Sequence, residues 1–157
     1  MKIAFWFDMK IWFALLAFWF STSVNAQEWP TLSYIKQIQQ IEVILDDQAT
    51  GACWTNLRET REYTEEKIRM AGGRVYQTGA RYWPDYYSLM VTVRSNRLSN
   101  GTCFGLILVD LKTGAVVNGK AHSASALSIT NYFTGAPNAN NFVISLVQDF
   151  FTEKSAY

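Results

Sequence analysis

The hydrophobic positions of the chain follow two different periods. Between residues 31 and 47 they recur at intervals of three and four, which predicts one amphipathic helix over that whole segment. Thr31 or Ser33 is a plausible N-cap, and Thr50-Gly51 follows as a break. The predicted apolar face comprises Leu32, Ile35, Ile38, Ile41 and Leu45.

A second helix is predicted from about Asn56 to Ala71, with Thr55 as its N-cap and Gly72-Gly73 as its end. Acidic and basic side chains alternate on neighbouring turns, so opposite charges can pair. We interpret this charge run as a solvated helix face rather than a binding surface. The predicted buried stripe is thin and comprises Leu57, Thr64, Ile68 and Ala71.

After the double glycine the period changes to two, which is typical of strands. A short strand is predicted at 74–78, a half-buried strand at 86–98, and a central strand, apolar on both faces, at 103–111. Asn100-Gly101 lies between the last two and supplies the positive φ angles of a tight hairpin.

The pattern is weaker after residue 111. Lys112-Thr113-Gly114 predicts a turn, and Ala115-Val116-Val117 can begin a further strand. Residues 118–141 are rich in Ser, Ala, Asn and Gly, and predict a short helix or loop followed by a longer loop. A final helix, capped by Asn140 or Asn141, carries a wide apolar stripe of Phe142, Val143, Leu146, Val147, Phe150 and Phe151.

Together these elements predict an α+β fold. An antiparallel sheet of three to four strands, with helices packed on one face, is the most economical way to bury the stripes. The segment 27–157 has a comfortable length for one domain.

The N-terminus has the features of a cleavable signal peptide. Lys2 and Lys10 precede or flank an apolar run of ten residues at 11–20, and Val24 and Ala26 fit the −3 and −1 positions of signal peptidase. We therefore expect residues 1–26 to be removed and the protein to reach the periplasm or the exterior. The run is about half of a membrane span. A retained anchor is the alternative, because residues 5–7 lengthen the apolar stretch.

Charge excludes one class of partner. The chain has 14 basic and 13 acidic residues. Cleavage would remove Lys2, Lys10 and Asp8 and leave 12 of each, so we expect no nucleic-acid binding, which relies on clustered basic residues. The sequence after residue 26 also contains no second apolar stretch long enough to span a membrane.

The chain has two cysteines, Cys53 and Cys103. In an oxidising compartment such a pair most often forms a structural disulfide. A redox-active or metal-binding pair is the alternative, and the spacing disfavours it because there is no CxxC motif.

No recognisable catalytic, cofactor or metal pattern is present. His122 is the only histidine, and with Ser123 and Ser125 it suggests a hydrolase, but there is no G-x-S-x-G elbow. Asp46-Asp47, Glu65-Glu66 and Asp85 are the carboxylates available for acid–base chemistry. One histidine and a bridged cysteine pair do not supply a zinc site. We therefore predict no catalytic residues and no cofactor.

The aromatic segment at residues 82–87 is the strongest candidate for binding. Aromatic side chains around a proline, in a connection between strands, can form a recognition patch for a protein partner or a sugar. The alternative is that they cover the end of the sheet and fill the core. The candidate residues are Tyr82, Trp83, Tyr86 and Tyr87.

The order of elements resembles that of small exported α+β modules of Gram-negative bacteria. The residues that carry the resemblance are the charged helix ending in Gly72-Gly73, the segment from Ala52 to Lys67, the hairpin strands from Tyr87 to Asp110 and the C-terminal amphipathic helix. Similar modules occur in envelope-assembly lipoproteins and near the N-terminus of the Tol-system translocation protein. The resemblance implies an adaptor or accessory role and assigns no functional residue.

Three functional hypotheses remain at this point. The first is a non-catalytic periplasmic binding or accessory domain that contacts a protein of the cell envelope. The second is a secreted inhibitor or immunity-like protein, which would need a protruding loop. The third is a cell-wall-acting hydrolase or transferase, which would need His122 and a carboxylate to meet in a cleft.

Overall fold

The computed structural model describes residues 31–38, 40–76 and 87–152. The predicted signal peptide lies outside these residues. The elements, in chain order, are helix α1 (Thr31–Gln37), strand β1 (Ile41–Ala49), helix α2 (Leu57–Met70), strands β2 (Tyr87–Arg97), β3 (Cys103–Val117) and β4 (Lys120–Ala136), and helix α3 (Asn140–Phe151).

The four strands form one sheet in the order β1-β2-β3-β4. This confirms the predicted α+β class, but the sheet is mixed and not purely antiparallel. Strand β1 is parallel to β2, whereas β2–β3 and β3–β4 are antiparallel pairs. The connection from β1 to β2 passes through α2, and a crossover of this kind brings its two strands together in parallel.

The single helix predicted over residues 31–47 was wrong. Helix α1 ends at Gln37, and the chain from Ile41 onward is strand β1. Ile35 and Ile38 are buried as predicted, but Ile41 and Val43 are buried at a spacing of two. Branching at Cβ favours the extended chain at these positions, and the same apolar residues satisfy either period.

Helix α2 confirms the second predicted helix. Asn56, and not Thr55, precedes its first residue, and the buried positions are Thr60, Thr64 and Ile68. Gly72 ends it with a φ of +84°, and the N–H of Gly73 donates to the carbonyl of Ile68 at 2.9 Å. The outer face carries the ion pairs Arg69–Glu65 and Arg58–Glu62, as expected of a solvated surface.

The first hairpin was predicted correctly, although its turn differs in detail. Strands β2 and β3 pair from Tyr87–Thr113 to Arg97–Cys103. The Leu98 N–H donates to the Thr102 carbonyl at 2.7 Å, so the loop has three residues. Gly101 alone takes a positive φ there, and Asn100 does not. This is the three-residue loop in which a turn is followed by one left-handed residue.

The second hairpin was missed. Lys112-Thr113-Gly114 does not form a turn, because β3 continues to Val117. The turn is formed by Asn118 and Gly119, whose φ angles are +52° and +72°, as a two-residue hairpin requires. The segment predicted to be a helix or loop is strand β4, with 17 residues. Of the predicted strand at 74–78, residues 77 and 78 lie outside the described residues, and Val75 forms a single bridge to Ile41.

The core lies between the helices and one face of the sheet. Leu89, Val91, Val93, Ile107 and Val109 of β2 and β3 are fully buried on that face. Helix α3 covers them with the stripe predicted from its sequence, of which Val143, Leu146, Val147, Phe150 and Phe151 are buried. No described helix is long and apolar enough to cross a membrane.

Cys53 and Cys103 form the predicted disulfide, with Cα atoms 5.8 Å apart. Beside it, the Arg97 guanidinium donates to the carbonyls of Gly51, Ala52 and Gly101. The disulfide and Arg97 therefore fasten the segment before α2 to the turn between β2 and β3.

We predict that replacing both cysteines by alanine lowers the free energy of unfolding by about 4 kcal/mol. The disulfide joins residues 50 positions apart, and the chain-entropy model gives this magnitude for a loop of that length. Urea denaturation of the double variant measures the loss. The parent protein under reducing conditions is the matched control and should lose the same amount. An unchanged midpoint would contradict the prediction.

We also predict that Gly105→Ala destabilises the protein by about 3 kcal/mol. A Cβ at position 105 would lie 2.2 Å from the Arg94 carbonyl oxygen and 2.5 Å from Ser95 Cβ, so β2 and β3 would have to separate. Gly119→Ala is the control, because its Cβ would meet nothing within 4 Å. Its positive φ alone costs about 1 kcal/mol. If the two variants lose the same free energy of unfolding in urea denaturation, the close approach of β2 and β3 does not determine the cost at position 105.

Candidate interaction surface

Most of the predicted aromatic patch lies outside the described residues. The residues outside are Tyr82, Trp83 and Tyr86. Tyr87 is the first residue of β2 and is half-buried. Its ring packs edge-to-face on that of Tyr34 from α1, with the centroids 6.5 Å apart.

The residues on either side of the segment 77–86 lie at one end of the sheet. The Tyr76 N–H donates to the Ile41 carbonyl at 2.9 Å, and Tyr87 is the register partner of Ile41 in the β1–β2 pair. Both flanks of the segment are therefore fixed next to the first residue of β1. We call this part of the molecule, defined by Tyr34, Tyr76 and Tyr87, the tyrosine end.

The β3–β4 hairpin extends past the tyrosine end. Tyr87 pairs with Thr113, so β2 has already ended where residues 114–123 continue as a two-stranded ribbon. We call these residues the hairpin tip. Val116 and Val117 within it are 66% and 53% exposed. Neighbouring residues of a strand point to opposite faces, so the tip presents an apolar side chain on each side.

The environment of Tyr34 changes its acidity. Burial raises the pKa of the Tyr34 hydroxyl above 10.0, and the hydrogen bond and the charge interaction with Tyr87 raise it further. Each of these effects favours the neutral phenol over the phenolate. The contact between Tyr34 and Tyr87 is therefore most favourable when the Tyr34 hydroxyl is protonated.

The face of the sheet turned away from the described helices carries a polar cluster. The Asp110 carboxylate is 6% exposed, accepts a hydrogen bond from Ser125 and lies 3.8 Å from Lys112 Nζ. Lys112 also contacts the Met90 sulfur at 3.4 Å. These contacts supply the buried Asp110 carboxylate with a hydrogen-bond donor and a positive charge. A carboxylate shielded from water needs such partners.

The possible acid–base groups that the structure describes lie on different elements. His122 is exposed in the hairpin tip, opposite Ala115. Asp46-Asp47 is on β1, at the opposite edge of the sheet, and Glu65-Glu66 is on α2. Asp85 lies outside the described residues. Among the described residues, no group of three or more His, Cys, Asp or Glu side chains could hold a metal ion.

The sequence did not predict the hairpin tip, whose Val116 and Val117 are the most exposed apolar side chains among the described residues of this end. The signal was the dipeptide Asn118-Gly119, which directly follows Val116-Val117. The same dipeptide at 100–101 had been recognised as a turn, because strongly alternating residues precede it.

No protein-family model and no curated protein sequence matches the chain. Among solved structures, it is similar to the PelC dodecamer from Paraburkholderia phytofirmans, with a TM-score of 0.44, 17% identity, and coverage of 78% of this chain and 90% of that one.

Two further neighbours are lipoproteins of Gram-negative bacteria. The minor lipoprotein from Acinetobacter baumannii has a TM-score of 0.35 and 13% identity, and the alignment covers 76% of this chain and 92% of that one. Lipoprotein GNA1162 from Neisseria meningitidis has a TM-score of 0.32 and 14% identity, with 71% and 93% covered. Similarities at this level of identity and TM-score do not assign a function to the chain.

We predict that stability falls as the pH rises above 10.0, and that Tyr34→Phe removes part of this dependence. The raised pKa of Tyr34 means that its contribution is fully present below the ordinary tyrosine pKa of 10.0 and is lost as the pH rises through the higher folded-state pKa. Below pH 10.0 the variant should lose about 1 kcal/mol, the worth of one hydrogen bond. Urea denaturation at a series of pH values measures both effects.

The control is Tyr132→Phe, because Tyr132 is 76% exposed on β4. This variant should keep the parent's pH profile. If Tyr34→Phe and the parent lose stability in parallel above pH 10.0, Tyr34 is not the group responsible for the loss.

Proposed function

We propose that this chain is an exported, non-enzymatic binding domain that contacts another protein of the cell envelope through its tyrosine end and hairpin tip. The observation that carries the proposal is the pair of exposed valines on a hairpin that extends beyond the rest of the sheet. Export is supported by the N-terminal sequence and by a disulfide that an oxidising compartment would preserve.

The hairpin tip is suited to insertion into a groove. Burying a valine side chain contributes on the order of 1.5–3 kcal/mol, and the tip offers two, one on each face. Its backbone is already fixed as a ribbon by the pairs Ala115–His122 and Val117–Lys120. A preorganised segment loses less conformational entropy on binding than a flexible one.

The predicted aromatic residues fit the same proposal. Tyr82, Trp83 and Tyr86 belong to the segment whose two flanks, Tyr76 and Tyr87, are fixed at this end of the sheet. Tyrosine and tryptophan are enriched among the residues that dominate binding energy. We therefore assign the partner contact to this aromatic segment together with the hairpin tip.

A second candidate function is favoured by the same tip. An inhibitor or immunity-like protein acts by placing a protruding element in the groove of an enzyme. Among the described residues, the element that protrudes is the β3–β4 hairpin tip. Residues 79–86, which include most of the predicted aromatic patch, lie outside the described residues. The two functions differ in the partner: an accessory domain binds a component of its own envelope assembly, whereas an inhibitor abolishes the activity of the enzyme that it binds.

The position of His122 weakens the hydrolase hypothesis. Asp46-Asp47 lies on β1, three strands away from β4, which carries His122, and the Asp110 carboxylate already contacts Ser125 and Lys112. Asp85 of that hypothesis lies outside the described residues, and in the present proposal the exposed His122 contacts the partner of the tip.

We predict that Val116→Asp with Val117→Asp abolishes crosslinking to the dominant partner. A carboxylate in an apolar groove would have to be desolvated without a counter-charge. The measurement is crosslinking in cells of the tagged protein at its native level, followed by mass spectrometry of the captured proteins. Trp83→Ala with Tyr86→Ala should also reduce capture.

Met70→Asp is the matched control, because Met70 is equally apolar and 71% exposed but lies at the end of α2. It should leave capture unchanged. Retained capture by the double Val variant would move the interface away from the tip. The absence of any captured protein would contradict the proposed function.

A further inference from the structure

The two edge strands of the sheet, β1 and β4, differ in how many of their outward backbone groups are bonded. The outer edge of β1 is occupied. The Ile41 N–H donates to the Arg74 carbonyl at 2.8 Å, the Arg61 guanidinium donates to the Val43 carbonyl at 2.7 Å, and the Ala49 N–H donates to the Asp47 carboxylate at 2.9 Å. A covered or charged edge prevents pairing with other strands.

The outer edge of β4 has fewer such contacts among the described residues. Its 17 residues form the last strand of the sheet, and no described strand pairs with it on that side. From Ala121 to Ala136 it contains no Lys, Arg, Asp, Glu or Pro. One local bond is present, from the Tyr132 N–H to the Asn131 carboxamide oxygen at 2.8 Å. An edge of this length without charge is a template for strand addition.

The central part of β4 is regular. Its pairing with β3 is uninterrupted from Leu127 to Thr134, and register shifts lie on both sides of that segment. Bulges end regular pairing, so these eight residues are the part of the edge that can take a straight partner strand. Thr130 lies near the centre.

We propose that this edge pairs with the same edge of a second copy of the chain, in an antiparallel arrangement about a two-fold axis at Thr130. Thr130 would then lie opposite Thr130, Ser128 opposite Tyr132, and Leu127 opposite Phe133. Thr–Thr pairs are among the stabilising cross-strand contacts.

The charge and burial of β4 favour a second copy of the chain as the partner of its outer edge. A strand that pairs with itself brings every charge close to an identical charge, and an uncharged strand avoids this repulsion. Leu127 and Ile129 lie next to the core but are only half-buried in one copy. The paired strand would place Asn131 of the second copy beside Ile129, and the backbone at Phe133, whose ring is stacked on Phe142 in its own chain, beside Leu127. An isologous contact of this type closes as a dimer.

The test uses the mature chain and two opposite substitutions at the axis. Sedimentation equilibrium of the parent should show a monomer–dimer equilibrium. Thr130→Lys and Thr130→Glu should each raise the dimer dissociation constant by at least about tenfold, because like charges meet at the axis. An equimolar mixture of the two variants should recover dimers, since the opposite charges then pair.

Ser99→Lys and Ser99→Glu are the controls, because Ser99 is exposed in the β2–β3 turn, away from β4. They should dimerise like the parent. The recovery on mixing separates a specific loss of pairing from misfolding, since a misfolded variant is not rescued by its partner.

Three outcomes would overturn the proposal. These are a parent that stays monomeric at every concentration, single variants that dimerise as well as the parent, and a mixture that does not recover dimers. A monomer that captures a strand of another protein at β4 would assign the edge to that protein instead. Val116→Asp with Val117→Asp lies outside residues 127–134 and should still dimerise, so this proposal and the proposed function fail independently.

Discussion

The link between Cys53 and Cys103 fixes the relation between the two halves of the fold. One cysteine precedes the crossover helix α2 and the other begins the central strand β3. Arg97 reinforces the link through three backbone carbonyls, and the Thr50 N–H donates to the Ser95 carbonyl at 2.8 Å. The end of β1, the start of α2 and the first hairpin therefore meet at one corner.

The two ends of the sheet consequently have different properties. The corner around Cys103 is cross-linked and densely hydrogen-bonded. At the opposite end, β2 begins at Tyr87 while β3 and β4 continue past it to Asn118 and Gly119. A rigid base supports a projecting ribbon, and binding elements are commonly placed on loops that a rigid scaffold positions.

The sequence predicted elements well where one period was clearly dominant. Helices α2 and α3 and strand β2 follow from strong local patterns, and the disulfide follows from the presence of two cysteines in a chain with an export signal. Residues 31–47 were misassigned because isoleucines at 35, 38 and 41 fit a helix, while Ile41 and Val43 equally fit a strand. Nothing local distinguishes the two, and pairing with β2, 46 residues away along the chain, decides between them.

Strand β4 could not be recognised for a related reason. Its serine, alanine and asparagine residues have little strand preference of their own, and pairing along β3 holds them extended. The hairpin tip was therefore missed with it. Of the candidate aromatic patch, the described residues include Tyr87 alone, which is half-buried. Sequence indicates which side chains suit binding but not which of them the fold leaves exposed.

The parallel pairing of β1 with β2 also has a consequence for the order of folding. Strands β2, β3 and β4 are joined by short turns and can pair as soon as each has been made. Strand β1 precedes them all, yet it has no partner until β2 exists, so its pairing closes a long loop. We expect the three-stranded meander to form first and β1 to dock last. The first strand of the sheet to be synthesised is then the last to join it.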